Sequence, residues 1–146
     1  MVSFFLTKKV VYVVKALYYL EVVRHNQMTS VVEIATATDI PKRFLEQLFL
    51  RLRQPQIVQS VRGAQGGYRL TRGLAEISLY DLLAALNDRT PRAVVAEGRY
   101  GEDLFVSKLA ESLEESTRTL YLGELITPAM LSRAETTDQP HYIYQI

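Results

Sequence analysis

Apolar residues recur at helical spacing in three segments of the first half of the chain. The first segment runs from about Lys8 to Arg24 and follows Thr7, a residue type that favours the N-cap position. The second begins after Ser30, and a glutamate three residues later completes a capping-box pattern. The third runs from Pro41, which suits the first position of a helix, to about Arg53. Their apolar positions are Val10, Val13, Val14, Leu17 and Leu20, then Val31, Ile34 and Ala35, then Phe44, Leu45, Leu48, Phe49 and Leu52.

A β-hairpin is predicted directly after the third helix. Pro55 ends that helix, and two short arms of alternating apolar residues follow at 57–61 and 68–70. Between the arms lie Arg62 and three glycines, Gly63, Gly66 and Gly67. This composition is typical of a hairpin whose tip adopts positive φ angles and approaches another surface closely. Two short helices joined by a tight turn and followed by such a hairpin predict a winged helix-turn-helix.

The second half of the chain predicts more helix. Ser78 caps a helix from Leu79 to Asn87, and a loop without apolar periodicity follows at 88–101. A long helix runs from about Glu102 to Tyr121 and is ended by Gly123, and a short terminal turn or helix begins at Thr127-Pro128. One face of the long helix carries Phe105, Val106, Leu109, Leu113, Thr117 and Leu120.

The predicted fold class is mainly α with a small β-hairpin wing. A winged helix-turn-helix domain occupies 1–87, the loop 88–101, the long and terminal helices 102–134, and a tail 135–146. An apolar content of 48% and a charged content of 23% are typical of a globular domain, and 146 residues leave room for an added oligomerisation element.

Charge is unevenly distributed along the chain. Residues 1–75 carry 11 Lys and Arg against 4 Asp and Glu, whereas residues 76–146 carry 6 against 12. A basic half beside an acidic half indicates that one part binds a polyanion while the other part has a different role. The alternative is a chance division of solvated faces.

Neither a membrane span nor a secretion signal is predicted. No apolar run approaches the roughly 18 residues that cross a bilayer. The first seven residues contain a short apolar patch but no charged n-region, long h-region or small-residue cleavage site. We therefore expect a cytoplasmic protein.

The third predicted helix and the hairpin carry side chains that can contact DNA. Arg43, Glu46 and Gln47 lie away from the apolar face of the helix. Arginine suits guanine, glutamine suits adenine, and glutamate accepts a hydrogen bond from the cytosine amino group. In the hairpin, Arg62 and a glycine-rich tip allow close approach to phosphates and to a minor groove. The alternatives are a solvated helix face with ion pairs and an ordinary surface hairpin.

Motifs spread along nearly the whole chain occur in the same order in one known family. They are Asp39-Ile40, 44–48, Leu52-Arg53 and 61–70, with further matches at Thr7, Lys9 and Tyr12, at 77–86 and at 120–125. With these motifs the chain resembles the Rrf2 family of bacterial winged-helix transcriptional regulators, the IscR, NsrR and CymR group. The resemblance implies a homodimeric transcription factor in which Glu46 and Gln47 contact bases, Arg62 lies in the wing, and the long helix crosses its counterpart in the partner subunit.

Pattern and resemblance together give two sets of candidate residues. The candidate DNA-binding residues are Lys9, Lys42, Arg43, Glu46, Gln47, Arg51, Arg62, Gly63, Gly66, Gly67 and Tyr68. The candidate dimerisation residues are Phe105, Val106, Leu109, Leu113, Thr117 and Leu120 on the long helix.

The chain departs from the family pattern in three places. Val10-Val11 stands where the family often has Gly-Arg, which would remove a phosphate contact. Pro55-Gln56 replaces a small residue followed by glycine, which would allow the wing to tilt. The cluster-binding members of the family place three cysteines in the loop equivalent to 88–107, whereas this chain has no cysteine at all. Because protein thiolates are the usual ligands of iron–sulfur clusters, we expect no cluster, no other metal and no cofactor.

The loop at the family's sensor position carries Arg92, Glu97 and Arg99. Two arginines in an otherwise acidic half make this segment a candidate effector loop, for a small anionic ligand or for a partner protein.

No enzyme is predicted, because the chain has no P-loop, nucleophile elbow, dinucleotide fingerprint or metalloprotease helix. Two functions remain. The first is a homodimeric, sequence-specific transcriptional regulator of a pseudo-palindromic operator that contains no iron–sulfur cluster. The second is a winged-helix module that binds proteins and does not bind DNA.

Overall fold

The computed structural model describes residues 7–86 and 101–137. In these two stretches the helices are α1 (Lys8–Tyr18), α2 (Val31–Thr38), α3 (Lys42–Arg53), α4 (Leu79–Leu86), α5 (Glu102–Thr119) and α6 (Pro128–Thr137). Strands β1 (Val58–Val61) and β2 (Gly67–Leu70) form an antiparallel hairpin between α3 and α4. The fold is mainly helical with a two-stranded wing, as predicted.

One hydrophobic core joins α1, α2, α3, α4 and the base of the hairpin. The side chains that are fully buried include Val13, Leu17, Leu20, Ile34, Leu45, Phe49, Leu52, Ile57, Ile77 and Leu82. Burying each large aliphatic or aromatic side chain stabilises the fold by about 1.5–3 kcal/mol. The helical periods predicted for the first three helices are therefore confirmed. By contrast, α5 contributes no buried side chain.

The first helix ends in a wide turn that the pattern did not indicate. The Thr7 hydroxyl oxygen accepts a hydrogen bond from the Val10 N–H at 3.4 Å, which confirms the predicted N-cap. After α1 the chain continues as a π-helical turn over Tyr19–Val23, which the Arg24 N–H closes by donating to the Tyr19 carbonyl at 3.0 Å. The segment predicted as one helix is thus helical throughout, with wider hydrogen-bond spacing at its end.

Both predicted serine caps are present, and they differ in completeness. Ser30 Oγ accepts from the Glu33 N–H at 3.2 Å, but Glu33 Oε1 lies 3.1 Å from Arg24 Nε. Ser78 Oγ accepts from the Asp81 N–H at 3.1 Å, and Asp81 Oδ2 accepts in return from the Ser78 N–H at 3.1 Å. The reciprocal capping box is therefore at Ser78, while the glutamate of the first box ties α2 to the π-helical turn.

The C-terminus of α3 forms a turn that usually holds glycine. The Ile57 N–H donates to the Leu52 carbonyl and the Gln56 N–H to the Arg53 carbonyl, both at 3.0 Å, which are the two bonds of a Schellman motif. Gln56 occupies the left-handed position of this motif with φ +56°. The Pro55-Gln56 departure from the family pattern therefore keeps the left-handed turn that glycine usually forms. At Gln56 this turn strains the backbone, because the residue has a Cβ.

We expect Gln56→Gly to raise the free energy of unfolding by about 0.5–1 kcal/mol, because relief of left-handed strain exceeds the entropy that glycine adds to the unfolded chain. Urea unfolding followed by circular dichroism measures the change. Gln54→Gly is the matched control, since Gln54 has helical φ and ψ of −62° and −45° and should lose stability on the same substitution. A lower unfolding midpoint for Gln56→Gly than for the wild type would contradict this account.

The long helix α5 ends at Thr119, two residues before the predicted end, and the predicted glycine stop does not terminate it. The Leu120 carbonyl accepts from the Leu79 N–H at 2.8 Å, and the Leu122 N–H donates to the Ile77 carbonyl at 2.9 Å. These bonds hold the chain after α5 in an extended conformation beside the start of α4. Tertiary hydrogen bonding, which a helical pattern does not encode, ends the helix.

The terminal helix α6 begins at Pro128, as predicted, and extends over ten residues. The Tyr18 hydroxyl donates to the Met130 carbonyl at 3.3 Å, and Ala134 is buried, so α6 packs near the end of α1. Among the described helices, none has both the length and the apolar content required to cross a bilayer.

Candidate nucleic-acid interface

Opposite its buried side, α3 exposes polar side chains at its N-terminal end. The helix begins at Lys42 with Pro41 as its N-cap, one residue later than predicted. Arg43 and Gln47 are exposed, and their spacing of four residues places them on one face. Lys42 Nζ lies 3.9 Å from Glu46 Oε1, with side chains 56% and 44% exposed. A pair this long and this hydrated is weak, so both groups remain available to a ligand.

Two aromatic contacts set the position of α1 and of the wing relative to α3. The rings of Tyr12 and Phe44 meet edge to face with centroids 5.6 Å apart, which joins the start of α1 to the start of α3. The rings of Phe49 and Tyr68 lie 4.7 Å apart, which joins β2 to the middle of α3. The N-terminal turn of α1, with half-buried Lys9, and the wing are therefore both fixed against the helix that carries the polar face.

Two of the candidate DNA-binding residues are engaged within the fold. Arg51 Nη1 donates to the Leu86 carbonyl at 2.9 Å, so this half-buried side chain joins α3 to the end of α4. Tyr68 packs its ring on Phe49 and is half-buried. Pattern and resemblance predicted a DNA-binding role for both, and that role stays a prediction, while these contacts also give each side chain a structural role. We leave them out of the proposed DNA contacts.

The wing is held along the outer edge of β2 by the turn before α2. Its strands pair from Val58 opposite Leu70 to Val61 opposite Gly67. On the other edge of β2, Tyr68 and Thr29 exchange two backbone hydrogen bonds, of 2.7 and 2.9 Å. The Asn26 side chain also donates to the Leu70 carbonyl at 3.1 Å and accepts from the Leu70 N–H at 2.7 Å. Further backbone pairing thus fixes the direction in which the wing projects.

The three wing glycines meet different requirements. Gly63 has φ +115°, and a Cβ built there would have no atom within 4 Å, so it lies at an open tip beside exposed Arg62. A Cβ on Gly66 would lie 2.0 Å from the Val61 carbonyl oxygen, and one on Gly67, at φ +147°, would lie 2.2 Å from the Thr29 carbonyl oxygen. Gly63 therefore lets the backbone come close to an external surface, whereas Gly66 and Gly67 permit close packing within the protein.

Three residues that the sequence analysis did not single out lie on these surfaces. Leu50 is 64% exposed on α3, and Arg69 is exposed on β2. Lys8 Nζ lies 5.6 Å above the ring of Tyr12, beside the start of α3. Helical spacing from Arg43 would have located Leu50, and alternation with buried Leu70 would have located Arg69. No local pattern in the sequence distinguishes Lys8 from Lys9.

Five of the six predicted dimerisation residues form a mainly apolar stripe on α5 that the described part of the chain leaves uncovered. Phe105, Val106, Leu109 and Leu113 are all exposed, and Thr117 is half-buried at the end that faces α4. The predicted place of Leu120 on this helix face is wrong, because Leu120 lies beyond the end of α5 in extended backbone. At the end that faces α4, the Arg118 guanidinium lies 3.8 Å above the ring of Tyr80. A hydrogen bond from Arg118 to Glu114 at 2.6 Å raises the pKa of the arginine. The helix is thus attached at its C-terminal end while its apolar face stays exposed to solvent.

The candidate effector residues Arg92, Glu97 and Arg99 lie outside the described residues. Their predicted role stays a prediction.

Comparison with known proteins gives matches over most of the chain. A family model described as Rrf2, iron-dependent transcriptional regulator, matches residues 6–120. An HTH-type transcriptional regulator of Azotobacter vinelandii is 39% identical over 83 residues, which are 57% of this chain and 51% of that protein. One of Synechocystis is 39% identical over 98 residues, which are 67% and 64% of the two chains. The matched region thus spans between half and two thirds of these relatives.

A solved structure has a similar fold. IscR of T. potens superposes with a TM-score of 0.63 and 28% identity, over 90% of this chain and 89% of that one.

The iron named in the family description has no thiolate ligand in the sequence and no group of other metal ligands among the described residues. The sequence contains no cysteine, so it offers no thiolate to a cluster. Within 7–86 and 101–137, no three histidine, aspartate or glutamate side chains are grouped as metal ligands would be.

Proposed function

Because the chain belongs to the Rrf2 family of transcriptional regulators, we propose that it binds a pseudo-palindromic DNA operator as a homodimer. The observation that carries this proposal is the pairing of an exposed polar face on α3 with a rigidly held, glycine-tipped wing. The family consists of transcriptional regulators and not of enzymes. Because the proposed ligand is DNA, we also propose a cytoplasmic location.

In this proposal α3 lies in the major groove. Arg43 and Gln47 are exposed on one face and have the hydrogen-bonding groups that suit guanine and adenine. Glu46 can release its weak pair with Lys42 to accept a hydrogen bond from a cytosine amino group. A two-fold dimer would place two copies of α3 in half-sites about one helical turn apart, or a multiple of that distance.

The wing is proposed to contact the DNA backbone and an adjacent minor groove. Exposed Arg62 supplies the charge, and the open Cβ position at Gly63 lets the backbone come close to phosphate. Lys8 and Lys9, at the start of α1, are proposed to add phosphate contacts because Tyr12 and Phe44 hold this turn beside α3. Such contacts position the protein on DNA but do not select the sequence.

We propose that the protein works without an iron–sulfur cluster, since it has no thiolate ligand. Its signal would then enter through the loop that carries Arg92, Glu97 and Arg99, by way of a small anionic effector or a partner protein.

Selection of bound fragments from a genomic library by the purified protein tests the proposed function. We expect enrichment of one inverted-repeat motif whose halves are separated by about 10 base pairs or a multiple. If no fragment is enriched at low or moderate salt, the chain is the protein-binding winged helix and not a DNA-binding regulator.

Replacing Arg62 with alanine should weaken binding to the selected operator by about 1–3 kcal/mol for each bond that the guanidinium makes to DNA, because the arginine charge is placed at the wing tip. For each phosphate that the arginine neutralises, the slope of log affinity against log salt should also fall by about one. Gel-shift titrations at several salt concentrations measure both effects. Lys108→Ala removes an exposed cation from α5 and is the control. Equal affinities of the Arg62→Ala and control proteins would mean that the wing does not contact DNA.

A further inference from the structure

An exposed leucine lies in the middle of the polar face of α3. Leu45, Leu48, Phe49 and Leu52 are buried at 2% exposure or less, whereas Leu50 is 64% exposed. Core packing therefore accounts for these buried apolar residues of the helix and not for Leu50.

The position of Leu50 relative to the polar residues is that of a base-contacting side chain. Arg43, Glu46, Gln47 and Leu50 are spaced i, i+3, i+4 and i+7, and helices that lie in a major groove contact bases with residues at this spacing. With a rise of about 1.5 Å per residue, Leu50 lies about 10 Å along the helix from Arg43, or roughly three base-pair steps.

We infer that Leu50 contacts the C5-methyl group of a thymine in each half-site and so contributes to the choice of operator. This inference rests on the proposed function. The thymine methyl is the apolar group that the bases present in the major groove, and side-chain carbon is its usual partner. Residues next to Leu50 on the exposed side are polar, namely Glu46, Gln47, Arg53 and Gln54. The apolar area of a single leucine among polar groups is too small for a protein interface. It is large enough to contact one methyl group.

Demethylation of single thymines tests the inference directly. In the operator obtained by selection, deoxyuridine, which lacks only the methyl group, replaces each thymine in turn, symmetrically in both half-sites. At one position we expect the wild type to lose about fourfold in affinity per half-site, or roughly 15-fold for the symmetric duplex. Leu50→Ala should bind the thymine and deoxyuridine duplexes at that position equally.

Val32→Ala is the matched control, because Val32 is an exposed valine on α2 and lies outside the face of α3. This variant should keep the full sensitivity of the wild type to deoxyuridine. If Leu50→Ala also keeps that sensitivity, or if no thymine position is sensitive in the wild type, the inference is wrong while the proposed function stands. If the wild type binds no duplex, the proposed function fails and the inference fails with it.

Discussion

Replacing Leu109 and Leu113 together with aspartate should convert the protein to a monomer and lower its affinity for the operator by at least about a hundredfold. The two side chains are 53% and 45% exposed at the centre of the apolar stripe on α5. A second copy of the stripe would bury them, and a carboxylate there would be desolvated without a partner. A monomer binds only one half-site. It therefore loses the gain in affinity, about 10²–10⁴-fold, that a dimer obtains by binding two linked half-sites.

Light scattering after size exclusion measures the mass, and a gel-shift titration measures the affinity. Leu104→Asp is the control, since Leu104 is 72% exposed on the same helix but lies about 140° around it from Leu109. This control should stay dimeric and bind the operator normally. A double variant that remains dimeric would show that the stripe is not the dimer interface.

Replacing Gly67 with alanine should destabilise the protein by about 2–4 kcal/mol and weaken DNA binding by displacing the wing. An alanine Cβ would lie 2.2 Å from the Thr29 carbonyl oxygen, and the residue has φ +147°. Because backbone atoms on both sides form the contact, relief requires breaking the Tyr68–Thr29 pairing that fixes β2.

Gly63→Ala separates steric overlap from backbone strain. Gly63 also has a positive φ, +115°, but its Cβ would meet no atom within 4 Å. Urea unfolding should therefore show a loss for Gly67→Ala that exceeds the loss for Gly63→Ala by at least about 1 kcal/mol. Equal losses would mean that the turn before α2 does not hold the wing.

Local patterns were sufficient to predict most of the fold. The period of apolar residues located α1, α2 and α3, and the alternation around three glycines located the hairpin. Serine caps marked the starts of α2 and α4 correctly. These features depend on residues that are close together along the chain, so a single sequence is enough to predict them.

The features that were missed depend on contacts between distant residues. The end of α5 is set by hydrogen bonds to the segment before α4, and the contacts of Arg51 with Leu86 and of Tyr68 with Phe49 join residues that are far apart in the sequence. For the candidate interface, the sequence correctly placed Arg43 and Gln47 on an exposed face of α3. It did not single out Leu50, because the candidates were chosen among polar and charged residues and Leu50 was assigned neither to the buried face nor to the interface.

The proposed function requires that α3 and the wing recognise a specific DNA sequence. Fluorescence anisotropy with the selected operator, compared with a duplex of the same bases in shuffled order at one near-physiological salt concentration, tests it most directly. We expect the dimer to bind the operator at least about 10³-fold more tightly than the shuffled duplex, with two chains per operator. Equal affinity for the two duplexes, or no binding to either, would contradict it.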